Sequence, residues 1–229
     1  KAAGFDGTCA QAEGAFYPAP CSVSIYSSGL RNMYDFVHHS NGKIYGPDNG
    51  LGVTGSYPPS PTAPCTGFGS TTSWQNGGNN PGSQTDKLQM LEQGKYYGHP
   101  NPYRNECVFF GGSYQGVTPP ANYVPAMYVI GDHRSANGTI EYTSNAFSGS
   151  LQGAIIVANY SFGDNIVAYF PSADGRSISN VVQVASGLSN PLPITQGPDG
   201  TIFVGELGSG QVTALIPAGN GPGDVTPPA

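Results

Sequence analysis

Charge is scarce in this sequence. Only 10% of the 229 residues are Asp, Glu, Lys or Arg, against roughly a quarter in ordinary soluble domains. Helix surfaces draw on those residues and on Ala, so a helical bundle is excluded. Positive charge is scarcer still, with 8 Lys and Arg against 14 Asp and Glu. Without a basic stripe to neutralise phosphates, nucleic acid and anionic membrane are excluded as partners. Long apolar runs are also missing. The longest, such as residues 153–158 (GAIIVA), fall far short of the roughly 20 residues of a membrane-spanning helix. No Gly-x-Ser-x-Gly elbow, phosphate loop or dinucleotide fingerprint occurs, which removes those routes to catalysis. The chain begins at Lys1 with neither Met nor signal peptide, so a processed or partial product is expected.

What is present is turn and strand chemistry. Gly (34) and Pro (21) make up about a quarter of the chain, near the upper end for an ordered protein. They have no triplet period, which excludes collagen. Aromatics at 11%, with many β-branched residues, argue against disorder. An all-β, turn-rich globular protein is expected. Four cysteines, Cys9, Cys21, Cys65 and Cys107, form no CxxC pair and have no zinc-finger spacing. Two sequons begin at Asn137 and Asn159. Even cysteine count, low charge and sequons together predict a secreted, extracellular glycoprotein with two disulfides. Cys9–Cys21 with Cys65–Cys107 is the favoured pairing because each would staple an irregular segment. The other two connectivities stay open.

The most informative feature is self-similarity. Residues 29–45 (GLRNMYDFVHHSNGKIY) align without gaps on residues 187–203 (GLSNPLPITQGPDGTIF). Gly29/Gly187, Leu30/Leu188, Asn32/Asn190, Gly42/Gly200 and Ile44/Ile202 are identical, and Phe36/Ile194, Asn41/Asp199 and Tyr45/Phe203 are similar. Each copy reads as strand, Asn-Gly or Asp-Gly turn, strand. Residues 153–171 likewise resemble residues 200–217, with 47 residues from Gly153 to Gly200. A unit of roughly 40–50 residues holding about four short strands is the signature of a β-propeller blade.

The repeats give a partial propeller over 1–217 with blades at about 22–50, 125–171 and 178–217. Residues 51–122 read as a long, disulfide-pinned insertion, and 218–229 as a Pro/Gly-rich exit linker. A ring needs more blades, so the missing ones are expected on another polypeptide or fragment, with a homo-oligomer or filament as a further possibility.

Three stretches carry a resemblance: Gly29-Leu30-Arg31-Asn32; Asn41-Gly42-Lys43-Ile44-Tyr45 running into Gly46-Pro47-Asp48-Asn49-Gly50; and Asp86-Lys87-Leu88-Gln89 followed by Gly94-Lys95-Tyr96-Tyr97-Gly98-His99-Pro100. They resemble the soluble quinoprotein glucose/sorbosone dehydrogenase family, which includes pyranose dehydrogenases dependent on pyrroloquinoline quinone (PQQ). The resemblance implies a six-bladed propeller of which this chain is the carboxyl-terminal part. It implies oxidation of pyranose sugars with PQQ and Ca²⁺, a hard cation that takes oxygen ligands. It places Arg31 and Asn32 against the cofactor and calcium on the backbone carbonyls of Gly46 and Pro47. The family's catalytic histidine belongs to an earlier blade, so no catalytic residue is assigned in this chain.

Departures from the family pattern define a second reading. Lys87 stands where the family has Glu, and His99 where it has Trp. Neutral Asn190-Pro191-Leu192-Pro193 and Asn159-Tyr160-Ser161 stand where it has basic residues. PQQ is a tricarboxylate whose burial calls for several cations. The second reading is a non-catalytic structural or adhesive subunit, in a filament or wall, that has lost the cofactor site. A third, a carbohydrate-binding propeller, rests on 14 tyrosines, among them Tyr96, Tyr97, Tyr103, Tyr114 and Tyr123. Those rings serve equally as the small core of a Gly-rich segment. His38 and His39 fall on opposite faces of a strand and read as structural. The run Asp132-His133-Arg134 places acid, base and cation side by side without requiring them to converge. Asp48 and Glu206 are repeat-equivalent, which symmetry explains before paired-carboxylate chemistry does.

Overall fold

The computed structural model describes residues 9–12, 15–19, 25–50, 85–99 and 121–218. The chain divides into two compact units. One comprises Lys1–Arg31, Leu51–Gln84 and Leu91–Pro125, the other Asn32–Gly50, Thr85–Met90 and Ala126–Ala229.

In the first unit, β1 (Cys9–Ala12) and β2 (Ala15–Ala19) form a two-stranded antiparallel sheet. Cys9 lies opposite Ala19 in this ladder. Cys21, Cys65 and Cys107 lie outside the described residues, as do Tyr103, Tyr114 and nearly all of 218–229. The remaining described part of the unit is held by tyrosines. Tyr96 bridges Ser28 on one side and Tyr123 on the other. Its backbone N–H donates to Asn122, and the N–H of Tyr97 to Ser28. Gly29 has φ +76° and lies hard against the Tyr96 ring, which leaves no room for an added Cβ.

The described residues of the second unit are all-β, with one short 3-10 turn at Phe147–Gly149. β3 (Val37–His38), β4 (Ile44–Asp48), β5 (Thr85–Leu91) and β6 (Tyr128–Asp132) form the first sheet in that spatial order. The second sheet runs β7 (Ala136–Glu141), β8 (Ile155–Asn159), β9 (Asn165–Pro171), β10 (Ile178–Ser186). The third runs β11 (Pro191–Gln196), β12 (Ile202–Glu206), β13 (Gln211–Leu215). The described pairings are antiparallel. Three antiparallel sheets of three or four strands are consistent with a β-propeller fold.

The repeated segments occupy corresponding places. β4, β8 and β12 are each the second strand of their sheet in chain order. The hairpins before β4 and β12 share their bonding: His39 N–H to Lys43 at 2.8 Å and Gly197 N–H to Thr201 at 2.8 Å. Inside these turns the Asn41 side-chain carbonyl accepts from Lys43 N–H at 3.1 Å, and the Asp199 carboxylate from Thr201 N–H at 3.0 Å. Gly42 (φ +79°) and Gly200 (φ +85°) supply the left-handed residue each turn requires.

The sheet boundaries differ from those expected from sequence. β10 lies in the expected third blade (178–217), yet it pairs along its length with β9 and completes the second sheet. The reason is local: residues 172–177 form a tight turn, with Ser172 N–H bonded to Ser177 and Gly175 N–H to Ser172, so successive strands pair. β5 comes from within the expected insertion and is the third strand of the first sheet. Its residues 86–91 are buried throughout, a continuous pattern that Gly-rich surroundings hid.

Two apolar cores separate the sheets. Tyr45, Leu88 and Met90 of the first sheet pack with Ala136, Ile155, Val157, Val167 and Tyr169 of the second. Ile156, Ala158, Ile166 and Ala168, on the other face of the second sheet, pack with Ile194, Ile202 and Val204 of the third. Alternate residues of β8 thus serve alternate cores, as strand geometry demands.

Candidate functional site

The residues matched to a cofactor site cluster around the end of β4. Arg31 and Asn32 are exposed. The backbone N–H of Asn32 donates to the Asp48 carboxylate at 2.9 Å, and its carbonyl accepts from Asn49 N–H at 3.1 Å. The repeat copy has the same carbonyl bond at the end of β12, with its carboxylate bonded one residue earlier. Glu206 accepts from Ser189 N–H at 2.5 Å, and the Asn190 carbonyl accepts from Leu207 N–H at 3.1 Å. Asp48 and Glu206 therefore hold the incoming segment of their own sheet. A hydrogen bond from the Thr213 hydroxyl, then the Ser189 N–H, holds the Glu206 carboxyl below its ordinary range.

Gly46 and Pro47 lie inside β4, just beyond the two residues, Ile44 and Tyr45, that pair with β3. Both residues are buried. The space a Cβ would take at Gly46 is filled by Met33 Sδ at 2.7 Å, the Asp35 carbonyl at 2.9 Å and Phe36 Cβ at 2.9 Å. That packing leaves no cradle beside Gly46.

A buried polar network that motif reading did not assign lies next to it. Asp86 accepts from Gly50 N–H at 2.8 Å and Ala136 N–H at 3.3 Å. Burial raises its carboxyl, and the backbone donors only partly oppose that. Asn49 Nδ2 donates to Asn137 Oδ1 at 2.8 Å, and Asn137 Nδ2 to Ser135 Oγ at 3.1 Å. Lys87 is buried on the opposite face of β5 from Leu88. Desolvation lowers its ammonium, and the Asp48 charge offsets part of that. The sequence signal available for this network was the likeness of residues 86–89 to a family motif. It marked the position and not the partners.

The sequons are corrected by this geometry. Asn137 is 5% exposed and Asn159 is 2% exposed. Both sit in strands, and the Asn159 amide donates to Asn165 Oδ1 at 2.8 Å. A glycan on either nitrogen would displace a buried hydrogen bond and lie inside a sheet, so neither is a glycan site of the folded protein.

Other candidates have local duties. The buried His39 ring lies 3.1 Å from the Gly153 carbonyl through Nε2 and accepts from Asn41 N–H at 3.1 Å through Nδ1. His133 lies 6.0 Å from the Phe162 ring, and Arg134 donates to the Phe162 carbonyl. Asp132 is exposed at the end of β6. His133 and Arg134 thus both lie against Phe162.

Where basic residues were expected against a quinone, neutral residues are committed elsewhere. Asn190 N–H donates to Asp164 at 3.1 Å and its amide to the Tyr160 carbonyl at 3.0 Å, while Pro191 is buried at the start of β11. The described residues thus do not fit a tricarboxylate quinone, which needs convergent cations. Among the described residues no group of three or more His, Cys, Asp or Glu is placed to hold a metal ion. Nor is any described helix long and apolar enough to cross a membrane.

Comparison with solved structures fixes the fold. A glucose dehydrogenase-type oxidoreductase from Thermus thermophilus aligns with 83% of this chain and 46% of its own, at 16% identity and a TM-score of 0.52. Its fold is shared with the sugar dehydrogenases. The PQQ-bound aldose sugar dehydrogenase of Streptomyces coelicolor aligns at 11% identity and a TM-score of 0.51, covering 86% of this chain and 45% of that one. A Trichoderma reesei enzyme of carbohydrate-active family AA12, solved with calcium, aligns at 15% identity and a TM-score of 0.53, covering 84% and 53%. The chain spans about half the length of these structures, and the match covers their carboxyl-terminal part. No family model matches the chain, and no curated protein matches it.

Proposed function

We propose that this chain is a sector of an extracellular glucose/sorbosone dehydrogenase-like β-propeller that keeps the scaffold without the quinone seat and serves as a structural or adhesive subunit. It supplies three blades of a six-bladed ring. The observation that supports this is the neutral pair Asn190 and Pro191, bonded or buried at the positions where a quinone would need cations. The two disulfides and a secreted location belong to the same reading.

The test is reconstitution with PQQ and Ca²⁺. The expected result is no quinone absorbance eluting with the protein and no bleaching of a dye acceptor with glucose or other pyranoses. Turnover would overturn this reading.

A second reading, pyranose oxidation with PQQ and Ca²⁺, is supported by the fold shared with the PQQ-bound aldose sugar dehydrogenase. In that reading Arg31 and Asn32 contact the quinone, and the carbonyls of Gly46 and Pro47 hold calcium. Arg31→Ala then abolishes quinone binding.

A further inference from the structure

An Asn-Gly pair is labile toward its own backbone. The glycine nitrogen, with no side chain beside it, can reach the asparagine side-chain carbon. Among the described residues the pair occurs at Asn41-Gly42, Asn49-Gly50 and Asn137-Gly138. The structure separates the three. Asn49 and Asn137 are each 5% exposed, and the Asn49 amide donates to Asn137 Oδ1 at 2.8 Å. Gly50 N–H is held by Asp86 at 2.8 Å. The place of a Cβ at Gly138 is filled by the Leu192 carbonyl and by Ile194 N at 3.1 Å. Reaction at either buried pair requires packed strands to part. Asn41 and Gly42 instead lie exposed in the β3–β4 hairpin, and a Cβ at Gly42 would meet nothing within 4 Å. Only hydrogen bonds hold this turn: Gly42 N–H to the His39 carbonyl at 2.9 Å and Lys43 N–H to Asn41 Oδ1 at 3.1 Å. Such a turn opens locally without disturbing a core.

The repeat copy shows what an acid does in the same turn. Asp199 occupies the position of Asn41, and Phe203 that of Tyr45. The Asp199 carboxylate accepts from Thr201 N–H at 3.0 Å and from its hydroxyl at 2.8 Å. The aligned ring there has no hydroxyl. At Asn41 the amide Nδ2 donates to the Tyr45 hydroxyl at 2.9 Å. The one proton of that hydroxyl is thereby left for the Gly175 carbonyl, 2.9 Å away in the turn between β9 and β10. A carboxylate at position 41 has no proton to give. It competes with the Gly175 carbonyl for the tyrosine proton instead.

We propose that Asn41 is a self-modifying site, whose conversion to aspartate or isoaspartate cuts the bond from Tyr45 to Gly175 that ties the first sheet to the second. The Gly42 backbone nitrogen gives its proton to solvent and attacks Asn41 Cγ. The bond from Cγ to the amide nitrogen breaks, and ammonia leaves. Water then opens the five-membered imide at either carbonyl, giving aspartate or isoaspartate. No electrons are exchanged, and water is the sole co-reactant. Either product carries a carboxylate where the amide stood.

The inference is independent of whether a quinone binds. It is tested by holding the full chain in warm, mildly alkaline buffer and following each Asn-Gly peptide by mass spectrometry. Asn41 is expected to convert about tenfold or more faster than Asn49 and Asn137, because their opening costs more. Gly42→Ala, which fits the open space, is expected to slow conversion at Asn41 by about tenfold. The converted chain is expected to unfold at lower urea than the unconverted one, and Asn41→Asp to match it. In a Tyr45→Phe background conversion is expected to leave the urea midpoint unchanged, because the bond it cuts is already missing. Equal rates at the three pairs, or conversion at Asn49 or Asn137 ahead of Asn41, overturn the site. A midpoint drop that persists in Tyr45→Phe overturns the link to Gly175, and so does a wild-type midpoint that conversion leaves in place. An Asn41→Asp chain that fails to fold by circular dichroism also overturns the proposal, since the turn would then not accept the acid that Asp199 supplies in the other copy.

Discussion

The seam between the first and second sheets and the seam between the second and third solve the same packing problem with different chemistry. Both have an apolar centre and one buried tyrosine reaching across. Tyr45 donates to the Gly175 carbonyl at 2.9 Å, and Tyr142 donates to the Gly200 carbonyl at 2.7 Å. Around that shared plan they diverge. Polar links across the first seam end on ionisable groups: Thr139 N–H on Asp35 at 3.0 Å, Ala136 N–H on Asp86 at 3.3 Å, and Ser40 N–H on Glu141 at 2.7 Å. Links across the second seam are mostly neutral, such as Thr143 N–H to Gln196 at 2.9 Å and the Gln196 amide to Thr143 Oγ1 at 3.1 Å. A repeat thus fixes where sheets touch and leaves open how the rim is wired. The first seam is wired through carboxylates, whereas the second is joined chiefly by amides and by shape.

Shape is the place to break the second seam. Gly200→Ala is expected to cost about 3 kcal/mol, combining a strained left-handed residue with overpacking. Its new Cβ would meet Ala146 Cβ at 2.5 Å and Ser144 Oγ at 2.6 Å. Urea unfolding measures this, and an unchanged midpoint would refute the account. Gly42→Ala, in the equivalent turn with nothing within 4 Å, is expected to cost only about 1 kcal/mol.

The shared plan is sharpened by removing each cross-seam hydroxyl. Tyr45→Phe and Tyr142→Phe each leave a buried carbonyl without its donor and are expected to cost about 1–2 kcal/mol apiece. Equal losses support a common role. A loss at only one position shows that the other carbonyl finds a second donor.

The smallest expected effect separates a carboxylate in the first seam from one in the β11–β12 turn by pH. Burial raises the Asp86 carboxyl. Its contribution is fully present below the ordinary Asp value and is lost as pH rises through the raised folded value. Asp199, in the β11–β12 turn, is lowered by the N–H and then the hydroxyl of Thr201. Its contribution is present above the ordinary value and is lost as pH falls through the lowered one. Denaturation across the acid range is therefore expected to show opposite changes in slope for Asp86→Asn and Asp199→Asn. Slopes of the same sign would refute the assignment.

Much of the fold was legible in advance because hairpin turns leave a chemical mark. Asn41-Gly42 and Asp199-Gly200 signalled their turns through residues that tolerate positive φ. The Ile and Val content of β8 and β12 signalled buried strands. The fate of β10 was not legible, because its partner depends on a six-residue turn and not on its own pattern. β5 was hidden because Asp86, Lys87 and Gln89 are polar yet buried, which composition reads as surface. At the site, the resemblance marked Arg31, Asn32, Gly46 and Pro47, with Asp48 and Asp86 present only as members of the matched stretches. It could not say that Asp48 and Asp86 spend their oxygens on backbone N–H groups, because that depends on how close separate strands come.

The burial of Asn137 and Asn159 reaches back to biosynthesis. In a host that routes the nascent chain past an oligosaccharyltransferase, both sequons are offered before either strand has found its neighbours. Attachment and strand pairing then compete in time, and a chain modified first carries a bulky, hydrated branch where β7 or β8 must close. A host without that enzyme escapes the contest, and its yield of assembled protein should be the higher of the two.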